Sequence, residues 1–181
     1  MPNKIIFKEE NAVGNNIYLR TLARGSVLLT MAIVAQEIRL FLPLPPLLSI
    51  IVIGTMLNAI MIIAVRYANL TAAIIISAVL PLFAFMQGHV IIPLMIPVIF
   101  LGNLALVLVC DKFWRKGVII FAPVLKTITL YVLSRTLLNM LGLQNKVADA
   151  ILLSMGWPQL ITAILGIILA MQLEKRLTSV K

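Results

Sequence analysis

The sequence predicts an all-α integral membrane protein, with six transmembrane helices in one compact bundle, and three observations lead there. Hydrophobic residues make up 62% of the 181-residue chain and charged residues only 12%, with a mean hydropathy of +1.11, far outside the range of a soluble domain. The apolar residues fall in runs of about 20, the length a helix needs to cross a hydrocarbon core roughly 30 Å thick. Thirteen of the 15 basic residues, which bring the net charge to +9, collect at or beyond the ends of those runs, and the set forms no aromatic-interleaved patch. They therefore read as topology signals and not as a nucleic-acid surface.

Residues 1–17 are mixed and polar and read as a cytosolic lead-in or a short interfacial helix; 18–174 make the membrane domain and 175–181 a short cytosolic tail. Windows of bilayer length place the spans at roughly 20–42, 47–67, 69–87, 91–110, 117–141 and 150–172. Arg20 and Arg24 flank the first apolar run, Gly25 to Ala35. It looks only superficially like a secretory signal, because Gln36, Glu37 and Arg39 stand where a small-residue cleavage site belongs and further spans follow. Pro43, Pro45 and Pro46 break the chain after span one, since proline cannot donate to a continuing helix and restricts the residue before it. Spans two and three join near Arg66, three and four through Gln87-Gly88-His89, and four and five through the charged segment from Asp111 to Lys116. Pro158 predicts a kink in span six beside Trp157, and Pro81, Pro93 and Pro97 predict bends in spans three and four.

Orientation follows from the same basic residues. With both termini in the cytoplasm, the inside receives Lys4, Lys8, Arg20, Arg24, Arg66, Lys112, Arg115, Lys116, Lys175, Arg176 and Lys181, and the outside only Arg39 and Lys146.

Span five holds two charges, Lys126 and Arg135. Helical spacing puts Thr127, Tyr131, Arg135 and Asn139 on one stripe, with Lys126 at its edge. A charge at membrane depth faces a protein interior or a wet cavity, or else it snorkels to an interface or is paired structurally. The outer ends of the spans collect Gln36, Glu37, Arg39, Gln87, His89, Trp157 and Gln159 as well, which together can line a pocket open to the outside. The candidate substrate-binding residues are Arg135, Tyr131, Asn139, Trp157, Gln159, Glu37 and Gln87. Arg135 suits a carboxylate or phosphate, and a structural Glu37–Arg135 pair would meet the same electrostatic need without a ligand. Asn58 and Asn103, near the centres of spans two and four, read as interhelical hydrogen-bonding residues. On span one Ser26 and Thr30, with Ala23 beside them, offer a small-residue strip that a partner helix or a neighbouring span can approach closely.

The lone cysteine, Cys110, excludes an intrachain disulfide and a cysteine-based metal site. No phosphate-binding loop, His-Glu-x-x-His, Gly-x-Ser-x-Gly or acidic pair within one span is present, so no catalytic residue, metal or cofactor is expected. Energy for any transport must then come from partners or an ion gradient.

Five segments carry a family resemblance: the Phe41-Leu42-Pro43-Leu44-Pro45-Pro46 break before Ile53-Gly54-Thr55-Met56-Leu57-Asn58, then Leu80 to Gly88, Pro97 to Asn103, and Ser154-Met155-Gly156-Trp157-Pro158-Gln159. With the six-span layout, the chain resembles the substrate-binding S components of energy-coupling-factor (ECF) transporters. The resemblance implies a small subunit of a bacterial plasma membrane that binds a vitamin, its precursor or a related micronutrient from outside. It also implies association with a transmembrane coupling protein and two cytosolic ATPases. The family commonly docks its coupling protein through an alanine-x-x-x-alanine patch on the first helix; here only the Ser26-x-x-x-Thr30 strip stands in that place. By the same resemblance the pocket is formed by the external loop after span one and the outer parts of spans four to six, with Arg135, Asn139, Trp157 and Gln159 as the positions carried over. Members with different ligands share this architecture, so it names no substrate. The alternative is a structural membrane protein of the cell-envelope machinery, similar in size and span number to the MreD-type shape proteins, which needs no ligand pocket.

Overall fold

Among the described residues, apolar runs bounded by proline, asparagine and glycine fold as seven helices: α1 (Asn3–Phe41), α2 (Pro46–Tyr67), α3 (Leu70–Met86), α4 (Met95–Lys112), α5 (Val118–Met140), α6 (Lys146–Met155) and α7 (Trp157–Ser179). The computed structural model describes residues 3–41, 44–114, 117–143 and 146–179, and no strand occurs among them. Pro43, Arg115, Lys116 and Lys181, which carry part of the sequence argument, lie outside the described residues.

The helix boundaries have local causes. Pro46 occupies the first position of α2, where its missing N–H costs nothing. Asn69 caps α3 by accepting from the Ala72 backbone N–H at 2.7 Å. The C-termini of α3 and α5 close in the same way. Gly88 (φ 73°) and Gly142 (φ 65°) adopt the left-handed conformation, and the next residue donates back to Ala84 and Leu138 respectively, satisfying carbonyls that a helix end leaves free.

Five segments are long and apolar enough to cross a membrane: Tyr18–Ile38 within α1, then α2, α4, α5, and the stretch from Lys146 to Thr178. Helix α3 is apolar and 17 residues long. α2 and α7 form the most extensive helix pair, flanked by α4 packed on α5 and by α1 and α3 on α2. Met61, Ile62, Ile76, Leu106 and Ile167 fill the core. The outward faces are also apolar, carrying Val27 and Val34 on α1 and Ile120, Phe121, Ile128 and Val132 on α5.

Three expectations need correction. The chain from Asn3 to Phe41 is one continuous helix, with no backbone break between the lead-in and the first span. Span six is two helices, not one kinked helix. Gly156 interrupts it, α7 starts at Trp157, and Pro158 falls in the first turn, where its absent donor has no intrahelical acceptor to serve. For the same reason Pro97, third in α4, bends nothing, and Pro93 precedes that helix; only Pro81 of the expected three lies inside a helix.

The two ends of the bundle differ. At one, Arg66 Nη2 pairs with Glu174 Oε1 at 3.2 Å, Trp114 Nε1 donates to Glu174 Oε2 at 3.1 Å, and Arg24 Nη1 donates to the Tyr67 carbonyl at 3.1 Å. The Arg66 guanidinium also lies 5.2 Å from the Trp114 ring centroid, a cation–π contact. These bonds tie the middle of α1, the C-terminal parts of α2 and α7 and the turn after α4 together. At the other end Gln87 Nε2 donates to Glu37 Oε1 at 2.5 Å, joining the α3–α4 turn to α1.

Candidate functional site

Helix α5 turns Ala122, Lys126, Leu130, Ser134 and Leu138 inward, one every four residues. Lys126 is ninth of 23 residues in that helix, with only 3% of its surface exposed. Its Nζ donates to Asn58 Oδ1 at 2.5 Å, Asn58 Nδ2 donates to Thr162 Oγ1 at 3.2 Å, and Thr162 Oγ1 donates to the Gln159 carbonyl at 3.1 Å. One polar chain thus links α5 through α2 to α7. The amide orientation is fixed by its partners, because a flipped Asn58 would turn its NH₂ group toward the ammonium.

This chain borders a cavity of about 230 Å³ in the half of the bundle away from the Arg66–Glu174 end. Every helix contributes to its wall. Gln36 comes from α1, Asn58 from α2, Asn103 from α4, Lys126 from α5, Ser154 from α6 and Gln159 from α7; the α3–α4 turn adds His89 and Val90. Apolar surface from Ile53, Leu57, Met61, Pro81 and Ile99 separates these groups. Small side chains let α2 and α7 meet beside it: a Cβ on Gly54 would come within 2.9 Å of Thr162 Cγ2. Gln159 also holds α6, its Nε2 donating to the Ser154 carbonyl at 3.2 Å. Gln36 Nε2 donates to the Leu80 carbonyl at 3.4 Å, while its Oε1 is buried and has no hydrogen-bond partner. The chemistry available is recognition: one ammonium, an imidazole, several amides and a hydroxyl around an apolar floor. Among the described residues no group of three His, Cys, Asp or Glu is placed to hold a metal ion.

The residues singled out from the sequence divide. Gln159, with Gln36 and His89, lies at the cavity. Glu37 and Gln87 bond each other, and among the described residues Glu37 makes no ion pair with Arg135. Tyr131, Arg135 and Asn139 stand on the outward face of α5, Trp157 is 46% exposed at the start of α7, and none of the four lines the cavity. Arg39 belongs to α1, its side chain outside the described ones. Ala23, Ser26 and Thr30 are exposed on α1, and Ser26 borders a surface groove of about 260 Å³ between α1 and α3.

Lys126 is the residue that the sequence stripe passed over, and depth is the signal that finds it. At about 1.5 Å per residue it lies some 12 Å from the nearer end of α5, beyond comfortable snorkelling reach, whereas Arg135 is only about 8 Å from the other end. Asn58 makes the interhelical bonds expected of it, and both Asn58 and Asn103 face the cavity. Compared with known protein families, characterised proteins and solved structures, the chain matches none.

Proposed function

We propose that the chain is a membrane-embedded solute-binding subunit that captures a small molecule from outside in the cavity around Lys126. The observation that carries this reading is the cavity itself. Small-molecule sites are concave and mostly apolar, with a few convergent polar groups that fix orientation, and the cavity has that composition. A purely structural protein would gain nothing by surrounding such a space with amides and an ammonium from five different helices.

The apolar outward faces support six membrane spans, with α7 as the sixth, and the bacterial plasma membrane is what the family resemblance implies. The Arg66–Glu174 end carries Arg20, Arg24, Lys112, Lys175 and Arg176 close in sequence to its tying residues, and the positive-inside rule assigns that end to the cytoplasm. Both termini are then cytoplasmic and the cavity lies toward the outside. The resemblance to ECF S components supplies the remainder: a vitamin or precursor as substrate, and a coupling protein with two ATPases as partners. The exposed Ser26 and Thr30 strip on α1 is the docking face in this reading.

Native mass spectrometry of the purified chain tests it. A retained small molecule is expected, released on unfolding. A chain that carries none, from membranes or after incubation with a cell extract, would favour the MreD-like structural alternative.

A further inference from the structure

We propose that the cavity selects a compact organic monoanion, a carboxylate whose charge is met by the Lys126 ammonium. The inference rests on the solute-binding reading and adds the chemical class of the ligand. Among the described residues, Lys126 is the only lysine or arginine that lines the cavity, and no aspartate or glutamate lines it. An ammonium has three N–H donors, and among the described residues Lys126 makes one hydrogen bond, to the neutral Asn58 Oδ1. A cation taken out of water at mid-helix needs an anion as well as acceptors, and the described residues provide only an acceptor. A carboxylate in the cavity supplies the missing charge. Two lone-pair-bearing oxygens also suit the two remaining donors.

Charge and size narrow the class. A monoanion brings the pair to neutrality, whereas a phosphomonoester dianion would leave a negative charge facing Ile53, Leu57 and Met61. At about 230 Å³ the cavity is below the roughly 300–1,000 Å³ of sites for drug-sized ligands, so the body of the acid is small. Amides at Gln36, Asn103 and Gln159 provide hydrogen bonds for one or two polar groups on an otherwise apolar skeleton.

The test uses the full chain in detergent, incubated with a panel of small monocarboxylates, their carboxamides and phosphomonoesters of matched size, together with a cell extract. After buffer exchange, native mass spectrometry reads which molecules stay bound. Wild type is expected to retain carboxylates and not their amides. Lys126→Met should lower that retention about tenfold or more, the size of one charge-assisted hydrogen bond. Because Lys126→Met is a core substitution, Asn58→Asp serves as the second variant; it keeps the side-chain shape, places an internal carboxylate against Nζ and should displace the ligand acid equally. Lys126→Arg should keep part of the binding. Equal retention of carboxamides or phosphomonoesters, or undiminished carboxylate binding in a monodisperse Asn58→Asp protein, overturns the monoanion assignment and leaves the solute-binding reading standing. If nothing from panel or extract is retained, the solute-binding reading fails and this inference with it.

Discussion

Gly166 of α7 lies directly against Asn58 of α2: a methyl group on the glycine would come within 2.6 Å of the Asn58 Cβ and 3.2 Å of the Thr55 carbonyl oxygen. The contact sets the distance between the two central helices and, through Asn58, the position of the Lys126 ammonium. Gly166→Ala should therefore lower stability by about 1–3 kcal/mol through overpacking and also reduce ligand retention. Gly142→Ala is the comparison. It meets open space and strains only a left-handed backbone, so about 1–2 kcal/mol is lost with retention unchanged. Thermal melts read beside native mass spectra check both, and equal retention in the two variants would count against the Gly166 argument.

Glu174 is the hub of the opposite end, accepting from Arg66 and Trp114 with different oxygens. Glu174→Gln keeps an acceptor for one of them but loses the charge, while Glu174→Ala loses both. The melting temperature should fall in that order. Arg66 is about a third exposed, so the ion pair alone contributes at most about 1 kcal/mol and the larger drop comes with alanine. A glutamine variant as unstable as the alanine variant would show that the charge, and not the bonding, holds this end.

Reporter fusions address orientation. Fusions after Ser179 and within the α2–α3 turn at Asn69 should report cytoplasm, and a fusion at Gly88 should report the outside. An external C-terminus would invert the cavity and remove the basis for capture from outside.

Replacing both Ser26 and Thr30 with leucine fills the exposed strip on α1 without touching the cavity. Co-purification with a coupling protein should drop several-fold, with ligand retention unchanged. Intact complex formation would move the docking face elsewhere on the bundle.

The helices were legible in the sequence because composition and length determine them almost alone, and the Gln87-Gly88-His89 turn was legible because glycine there permits the left-handed cap. The break at Gly156 was not, since a Gly-Trp-Pro segment reads equally as a kink inside one helix or as the start of the next. Nor was the facing of α5. Two stripes one residue apart, through Lys126 and Ser134 or through Tyr131 and Arg135, have the same period, and polarity favoured the one that the fold turns outward. What selects the inner stripe is a partner, Asn58, that lies 68 residues away in sequence. No local pattern carries that pairing.

That distance has a consequence for synthesis. Asn58 is synthesised long before its partners exist: Lys126 follows 68 residues later and Thr162 104 residues later. Until then a half-made chain presents an unanswered amide at mid-span, and after α5 arrives it holds a lysine whose single acceptor is not yet anchored to α7. Of the three helices joined by the polar chain, α7 is made after α2 and α5 and completes it. A nascent protein stalled before α7 therefore differs chemically from one that has made it at the middle of the bundle.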